Sequence, residues 1–343
     1  MKSKSMRAVR ILAMSLALVM TLGLCACGSS ESKAPADTQA PEAPETSNAV
    51  PAEETAKKIA ILPYAMAQEF GADFVAAAQE AGEAAGFEIQ VLDPNYDLQT
   101  EVSMLEDLIV QGVDGIIFSA IDSTSMGAVV EEVKAAGIKI IDYDCVVDEG
   151  NTDASIKSND TEGGRAAAQI MMERLNDPNA TVIVYGTAST IGTGYARISG
   201  FKSYIEENYP NVTIVETRPS EGAGTRDGCR AWAVDMVTAY PEASAFFTFF
   251  GDGAIGTYYG LQEAGRDDII IVGYDATAEQ QQIMANDGVN CILTASIAQY
   301  PDEMGRRAIE TMTKLFDGTY TRNGADDVIF VEPGIYYADT SLN

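Results

Sequence analysis

From Lys58 onward the chain repeats one unit: a short unbroken apolar run, a turn residue, then about four turns of amphipathic pattern. The runs are "KIAILPY" (58–64), "FEIQVLD" (87–93), "DGIIFSA" (114–120), "IKIIDYD" (138–144), "ASIKSND" (154–160), "TVIVYG" (181–186), "VTIVET" (212–217), "AFFTFF" (245–250), "IIIVGYD" (269–275) and "CILTAS" (291–296). Ile and Val follow one another instead of alternating with polar residues, which is the pattern of strands covered on both faces. Helix candidates between them include 70–85, 98–111, 123–136, 160–175, 226–239, 252–264 and 299–316. Repeated strand–helix alternation specifies an α/β fold of doubly wound parallel sheets. Ten units are too many for one small sheet, so the chain divides into two lobes near Asn159. "IKIIDYD" and "IIIVGYD" both place Tyr-Asp at a strand's carboxyl end, as two similar lobes would. Ligands of open α/β sheets gather at the carboxyl ends of the strands, and two facing lobes would share one cleft there.

The first 26 residues are of another kind. Lys2, Lys4, Arg7 and Arg10 precede "ILAMSLALVMTLGL", an apolar stretch too short for a comfortable membrane span, and small residues follow. This reads as a secretory signal over residues 1–26. Leu24 and Ala26 stand three and one residues before Cys27, the spacing of a bacterial lipoprotein cleavage site, so Cys27 is the expected lipidation site. Residues 27–56 are rich in Ala, Pro, Glu, Ser and Thr; they cannot bury enough surface to offset chain entropy and read as a disordered tether. Removing the four basic residues of the signal takes the net charge from −29 to about −33. That excess repels nucleic-acid phosphates and anionic ligands. Cys145, Cys229 and Cys291 lack the short spacings of a disulfide framework and read as buried thiols. The chain has no histidine, which removes the commonest general base and most zinc sites.

Several residues at strand ends could carry chemistry. Gln68 and Phe70 follow the first strand, Asp142 and Asp144 the fourth, Tyr195 and Arg197 the sixth. Phe250 and Asp252 follow the eighth, Asp275 the ninth and Gln299 the tenth. Carboxylates and amides bond hydroxyls, and aromatic faces pack on the C–H faces of a sugar ring. The set suits a neutral polyhydroxylated molecule and calls for no metal or cofactor. Other roles stay open at this point. Asp275 could cap the following helix, Arg197 could pair with Glu206 or Glu207, and Phe70, Phe250 and Trp232 could be core. Cys145 could be a small buried side chain, and Asp144 and Asp275 could be the paired carboxylates of a glycosidase. The loop "GTASTIGTG" (186–194) fits neither the P-loop nor the dinucleotide fingerprint, and no stretch matches a calcium loop.

The stretches "KIAILPYAMAQEF", "LIVQGVDGIIFSAIDS", "VKAAGIKIIDYD", "KSNDTEGGRAAAQIM", "FFGDGAIGTYYGLQEAG", "IIVGYDATAEQ" and "ILTASIAQYPDEMGRRAIE" occur in an order and spacing that resembles the periplasmic binding proteins of ribose/galactose type, the substrate-binding subunits of ABC sugar importers. The resemblance implies a type I periplasmic binding protein fold: two lobes joined by three crossings, near Ser158, Gln299 and Pro333, that close on a sugar. It implies lobes at 57–158 plus 299–332 and at 159–298 plus 333–343. It also implies ligand contacts from Asp275, Gln299, Asp144 and Phe70, with Gln68 standing where asparagine is usual. Departures are Cys145, which stands where the ribose binders carry arginine, and Phe250-Gly251-Asp252 in place of Asn-Asp; Tyr195 and Arg197 align with a further ligand arginine. These departures point to a ligand with fewer hydroxyls or an apolar edge. The implied protein is non-enzymatic and monomeric, needs no cofactor, and binds no nucleic acid. It is lipid-anchored at the outer face of the cell membrane in the Gram-positive manner, and passes a neutral monosaccharide or polyol to an ABC permease. A nucleoside or signalling-furanone binder and a sensory sugar receptor subunit are the alternatives.

Overall fold

The computed structural model describes residues 56–148, 151–188 and 191–342; the signal segment, Cys27 and the tether up to residue 55 lie outside them. Residues Glu54–Asn343 cluster as one compact unit. Within it are two six-stranded sheets. The first holds β1 (Lys58–Leu62), β2 (Glu88–Val91), β3 (Gly115–Phe118), β4 (Lys139–Tyr143), β5 (Ala154–Lys157) and β11 (Val328–Phe330), in the order β11-β5-β4-β3-β1-β2. The second holds β6 (Thr181–Tyr185), β7 (Thr213–Thr217), β8 (Ala243–Phe247), β9 (Ile270–Asp275), β10 (Leu293–Ala298) and β12 (Gly334–Tyr337), in the order β12-β10-β9-β8-β6-β7. Every pairing is parallel except β12 on β10.

The first sheet shows why its strands are apolar without interruption. Ile59, Ile61, Ile117 and Ile141 pack on one face with Phe74, Met304 and Met312, from α1 (Glu69–Ala84) and α9 (Pro301–Phe316). The intervening Ala60, Leu62, Ile116, Phe118 and Ile140 pack on the other with Leu105, Leu108, Val129 and Val133, from α2 (Leu98–Gln111) and α3 (Gly127–Ala135). A period of two is present, but in β1, β3 and β4 both of its phases are buried, whereas the edge strand β2 alternates exposed Glu88 and Gln90 with Ile89 and Val91. The second sheet is covered by α4 (Asp160–Leu175), α5 (Gly192–Asn208), α6 (Arg226–Ala239), α7 (Gly251–Glu263) and α8 (Ala278–Asp287).

The chain leaves the first sheet after β5, and α4 packs on β8, β9 and β10. It returns after β10, where α9 packs on α1, β4 and β5. It crosses a third time between β11 and β12. Ser158, Gln299 and Pro333 lie in these three gaps between elements. Both sheets reverse strand order at one point, between β1 and β3 and between β6 and β8, where such folds form their crevices.

Local differences from the sequence pattern have local causes. Helix α3 begins at Gly127 because the Asp122 carboxylate accepts from the Thr124 and Ser125 amides (3.0 and 2.9 Å), tying 122–125 into a turn. The Gly/Thr-rich stretch 186–194 is loop only in part, since α5 starts at Gly192. The strands β11 and β12 add two to the ten apolar runs; they are three and four residues long, sit at sheet edges and are at most half-buried.

Candidate functional site

A cavity of about 440 Å3 lies between the carboxyl ends of the two sheets, within the ~300–1,000 Å3 usual for small-molecule sites. Gln68, Phe70, Asp144, Arg197, Phe250, Asp275 and Gln299 all line it. Tyr195 and Asp252 do not. On α5, Thr193 and Arg197 are four apart and face the cavity, whereas Tyr195 lies about half a turn away from each and is exposed. Asp252, in the first turn of α7, turns to Arg226 of α6 (2.7 Å) at the rim. Asp142 is buried on the far side of β4, where it accepts from the Val147 amide (2.8 Å), Thr152 (2.9 Å) and Ser155.

Arg197 is the hub of the site. It is 4 % exposed, and its guanidinium carbon lies 4.0 Å from the centre of the Tyr274 ring. Its Nε donates to Asp160 (2.9 Å), Nη1 to the Phe249 carbonyl (2.9 Å) and Nη2 to Asp144 (3.3 Å), while Asp275 lies 3.7 Å from Nη1. One buried cation therefore holds carboxylates from both lobes. Burial outweighs Arg197 at Asp144 and pushes its carboxyl up to about 7, with Asp160 and Asp275 adding to the rise. Asp275 is raised for the same reason, against the pull of Arg197 and its hydrogen bonds. The thiol of Cys145, buried beside Asp144, is pushed up to about 11 by desolvation, and Ser123 Oγ lies 3.3 Å from its sulfur.

Asp275 already has protein partners. Oδ1 accepts from the Gln299 amide (2.7 Å) and Oδ2 from the Gly251 N–H (2.7 Å), so it caps α7 and not the helix that follows it. That helix, α8, is capped by a reciprocal Thr277–Gln280 pair. A carboxylate offers about four acceptor positions, so some of its capacity remains for a ligand. Both strand-end aspartates have left-handed backbones, φ 55° at Asp144 and 78° at Asp275. Asp tolerates that region better than most residues, and strain of this kind gathers at ligand sites. Among the described residues, three buried atoms on the cavity wall have no hydrogen-bond partner: Ser119 Oγ, Tyr143 Oη and Gln299 Oε1. Buried polar groups are normally satisfied, which makes these three atoms candidates for a ligand's hydroxyls.

Aromatic rings cover both walls. In the second lobe Tyr185 meets Phe249 and Phe250 edge-on at 5.7 and 5.2 Å. In the first, Tyr64 meets Tyr96 edge-on at 5.2 Å. One further hydrogen bond spans the lobes, from the Ala278 N–H to Glu69 at 2.6 Å, and the lobes approach closely at Gly192, where an added Cβ would lie 3.1 Å from Ser123 Oγ.

Residues 59–319 match the family model described as a periplasmic binding protein domain. This chain belongs to that family. The ribose import binding protein RbsB of Escherichia coli (strain K12) is 28 % identical over 243 residues, covering 70 % of this chain and 78 % of that protein. The xylitol-binding protein of Mycolicibacterium smegmatis is 24 % identical over 288 residues, covering 82 % and 72 %. Among solved structures, an ABC transporter solute binding protein from Agrobacterium vitis with bound allitol superposes with a TM-score of 0.75 at 22 % identity, covering 83 % of this chain and 96 % of that one. One from Actinobacillus succinogenes 130z with bound D-allose gives 0.74 at 21 %, covering 84 % and 99 %. The shared architecture is the type I periplasmic binding protein fold.

In this periplasmic binding protein several cavity residues went unread in the sequence. Tyr64, Ser119, Tyr185 and Arg218 stand at or just past strands β1, β3, β6 and β7, so the strand-end rule alone would have found them. Asp160 and Phe249 matter through Arg197, a pairing that no local spacing encodes. Trp232 is core: its ring packs on Tyr185 and Phe246, and its indole N–H donates to Thr217 (2.8 Å). Arg197 does not pair with Glu206 or Glu207; Arg165 takes Glu207 (2.7 Å).

Proposed function

We propose that this protein is a non-enzymatic, extracytoplasmic solute-binding lipoprotein. It captures a neutral monosaccharide or polyol between two closing lobes and delivers it to an ABC permease. The observation that carries the reading is the cleft wall. Aromatic faces stand on both lobes, and between them lie Asp144, Asp275 and Gln299 with the unpartnered atoms of Ser119, Tyr143 and Gln299. Rings present surfaces for C–H faces, and the polar atoms take hydroxyls. The named ligands of the relatives support the same class: ribose, xylitol, allitol and D-allose. Asp144 and Asp275 both turn to one guanidinium, an arrangement for holding and not for acid–base hydrolysis.

The signal segment and the cleavage-site spacing before Cys27 support attachment to the outer face of the membrane through one lipid anchor. Gln68, Phe70 and Phe250 are assigned to ligand contact. Tyr195 and Asp252, which do not line the cavity, are not assigned to ligand contact. A thermal-shift screen of the full chain against pentoses, hexoses, polyols and nucleosides tests the proposal. A specific ligand at ~100 times its Kd stabilises by about 2.7 kcal/mol. A clear upward shift with one sugar or polyol class is expected. Stabilisation by nucleosides alone would move the assignment to a flat-ringed ligand.

A further inference from the structure

The loop between β2 and α2 carries an aromatic residue in an unusual backbone state. Asn95 and Tyr96 are consecutive left-handed residues, at φ 49° and 65°. A bulky side chain in that region is rare and persists only where its surroundings impose it. Here they do. The Asp93 carboxylate accepts from the Met66 and Asn95 amides (3.3 and 2.9 Å), and the Tyr96 N–H donates to the Tyr64 carbonyl (3.2 Å). One residue on, Asp97 caps α2 through the Thr100 N–H (2.7 Å). The loop is thereby fastened to the segment between β1 and α1.

The ring it holds lines the cavity, yet is 37 % exposed, so it stands at the mouth with one side toward solvent. Its edge meets Tyr64, and Gln68 bonds its hydroxyl. Burial, with the charges of Asp252 and Asp93, pushes that hydroxyl up to about 12, so at neutral pH it stays protonated and able to donate. We propose that Tyr96 is a ligand-contacting lid that admits a single small ring and excludes ligands whose substituents project through the mouth. The proposal rests on the sugar-binding reading for its ligand, though not for its geometry.

Two measurements on the full chain test it, with Tyr96→Ala and with Tyr96→Phe, which keeps the ring. The first is calorimetry with the sugar found by the screen, its methyl glycoside and a disaccharide containing it. Loss of well-packed aromatic contact should weaken the parent sugar about tenfold or more in Tyr96→Ala, and shrink the preference over the glycoside to within about threefold. Tyr96→Phe should keep the wild-type preference. The second needs no ligand: alkylation of Cys145 by N-ethylmaleimide, followed by peptide mass spectrometry. Cys145 lines the same cavity and is buried. Removing the lid should speed its reaction about fivefold or more, since exposure governs access to a thiol of given pKa. Cys229 and Cys291, buried elsewhere, should react as before and so report an intact fold. If no sugar binds the wild-type protein, the sugar reading fails, and the alkylation rates still decide the lid. Wild-type rates and wild-type discrimination in Tyr96→Ala would overturn it.

Discussion

At the scale of single residues, the site is organised around one guanidinium and three carboxylates. Removing one partner of a buried ion pair commonly costs about 3–5 kcal/mol, because the others stay buried without compensation. Asp144 adds a pH signature. Its folded-state value of about 7 is above the ordinary 3.8. Between those values the folded protein holds a proton that the unfolded chain releases, so stability falls as pH rises. The contribution of Asp144 is complete below pH ~4 and lost by pH ~7, amounting to at most about 4 kcal/mol at 1.36 kcal/mol per unit. Asp144→Asn removes this dependence. In urea denaturation, the variant should gain on the wild type progressively from pH 4 to pH 7.5. A constant difference across that range would refute the assignment. Taking the difference between the two proteins cancels other titrating groups, such as Glu101, which burial pushes up to about 8.

At the scale of elements, the position of Arg197 depends on how closely α4 and α5 approach. A Cβ on Gly164 would lie 2.0 Å from the Arg197 carbonyl oxygen, and one on Gly200 2.1 Å from that of Thr161. Both obstacles are backbone, so the helices would have to separate. Gly164→Ala should cost about 1–3 kcal/mol, as overpacking does, and should weaken ligand binding as Arg197 is displaced. Gly127→Ala, whose Cβ meets nothing nearer than 4.0 Å, is the control. Denaturant midpoints and calorimetry read the pair. Elements were also the scale most legible in the sequence. Apolar runs marked the interior strands because the β-sheets are covered on both faces, and the edge strands β2 and β7 showed a partly exposed pattern. The strands β11 and β12 carry short apolar runs too, Val328–Val331 and Ile335–Tyr337, but no helix separates them, so the strand–helix repeat passes over both. The cleft was half legible: residues just past strands announce themselves, Phe249 and Asp160 included, whereas their pairing with Arg197 and the approach of Tyr96 to Tyr64 arise only in tertiary packing.

At the scale of the whole molecule, the lobes touch through contacts that a hinge motion would break, and a closed form is what ligand binding favours. The Glu69 carboxylate caps α8 across the lobe boundary through Ala278. Helix-cap loss costs about 0.5–2 kcal/mol, so Glu69→Ala should weaken ligand affinity roughly 2- to 30-fold while leaving each lobe folded. Small-angle scattering should show the variant expanded at ligand concentrations that compact the wild type. Equal profiles for both would sever the cap from closure.

The three crossings have a consequence for the order in which this protein can be built. The first sheet lacks its edge until Val328–Phe330 has emerged, and one of its faces waits for Pro301–Phe316. The second sheet is finished only by Gly334–Tyr337. Neither lobe can be completed before residues 328–337 have left the ribosome, and such long-range pairing folds slowly. Both lobes thus stay open to rearrangement until these two short strands are made, however early their other strands have formed.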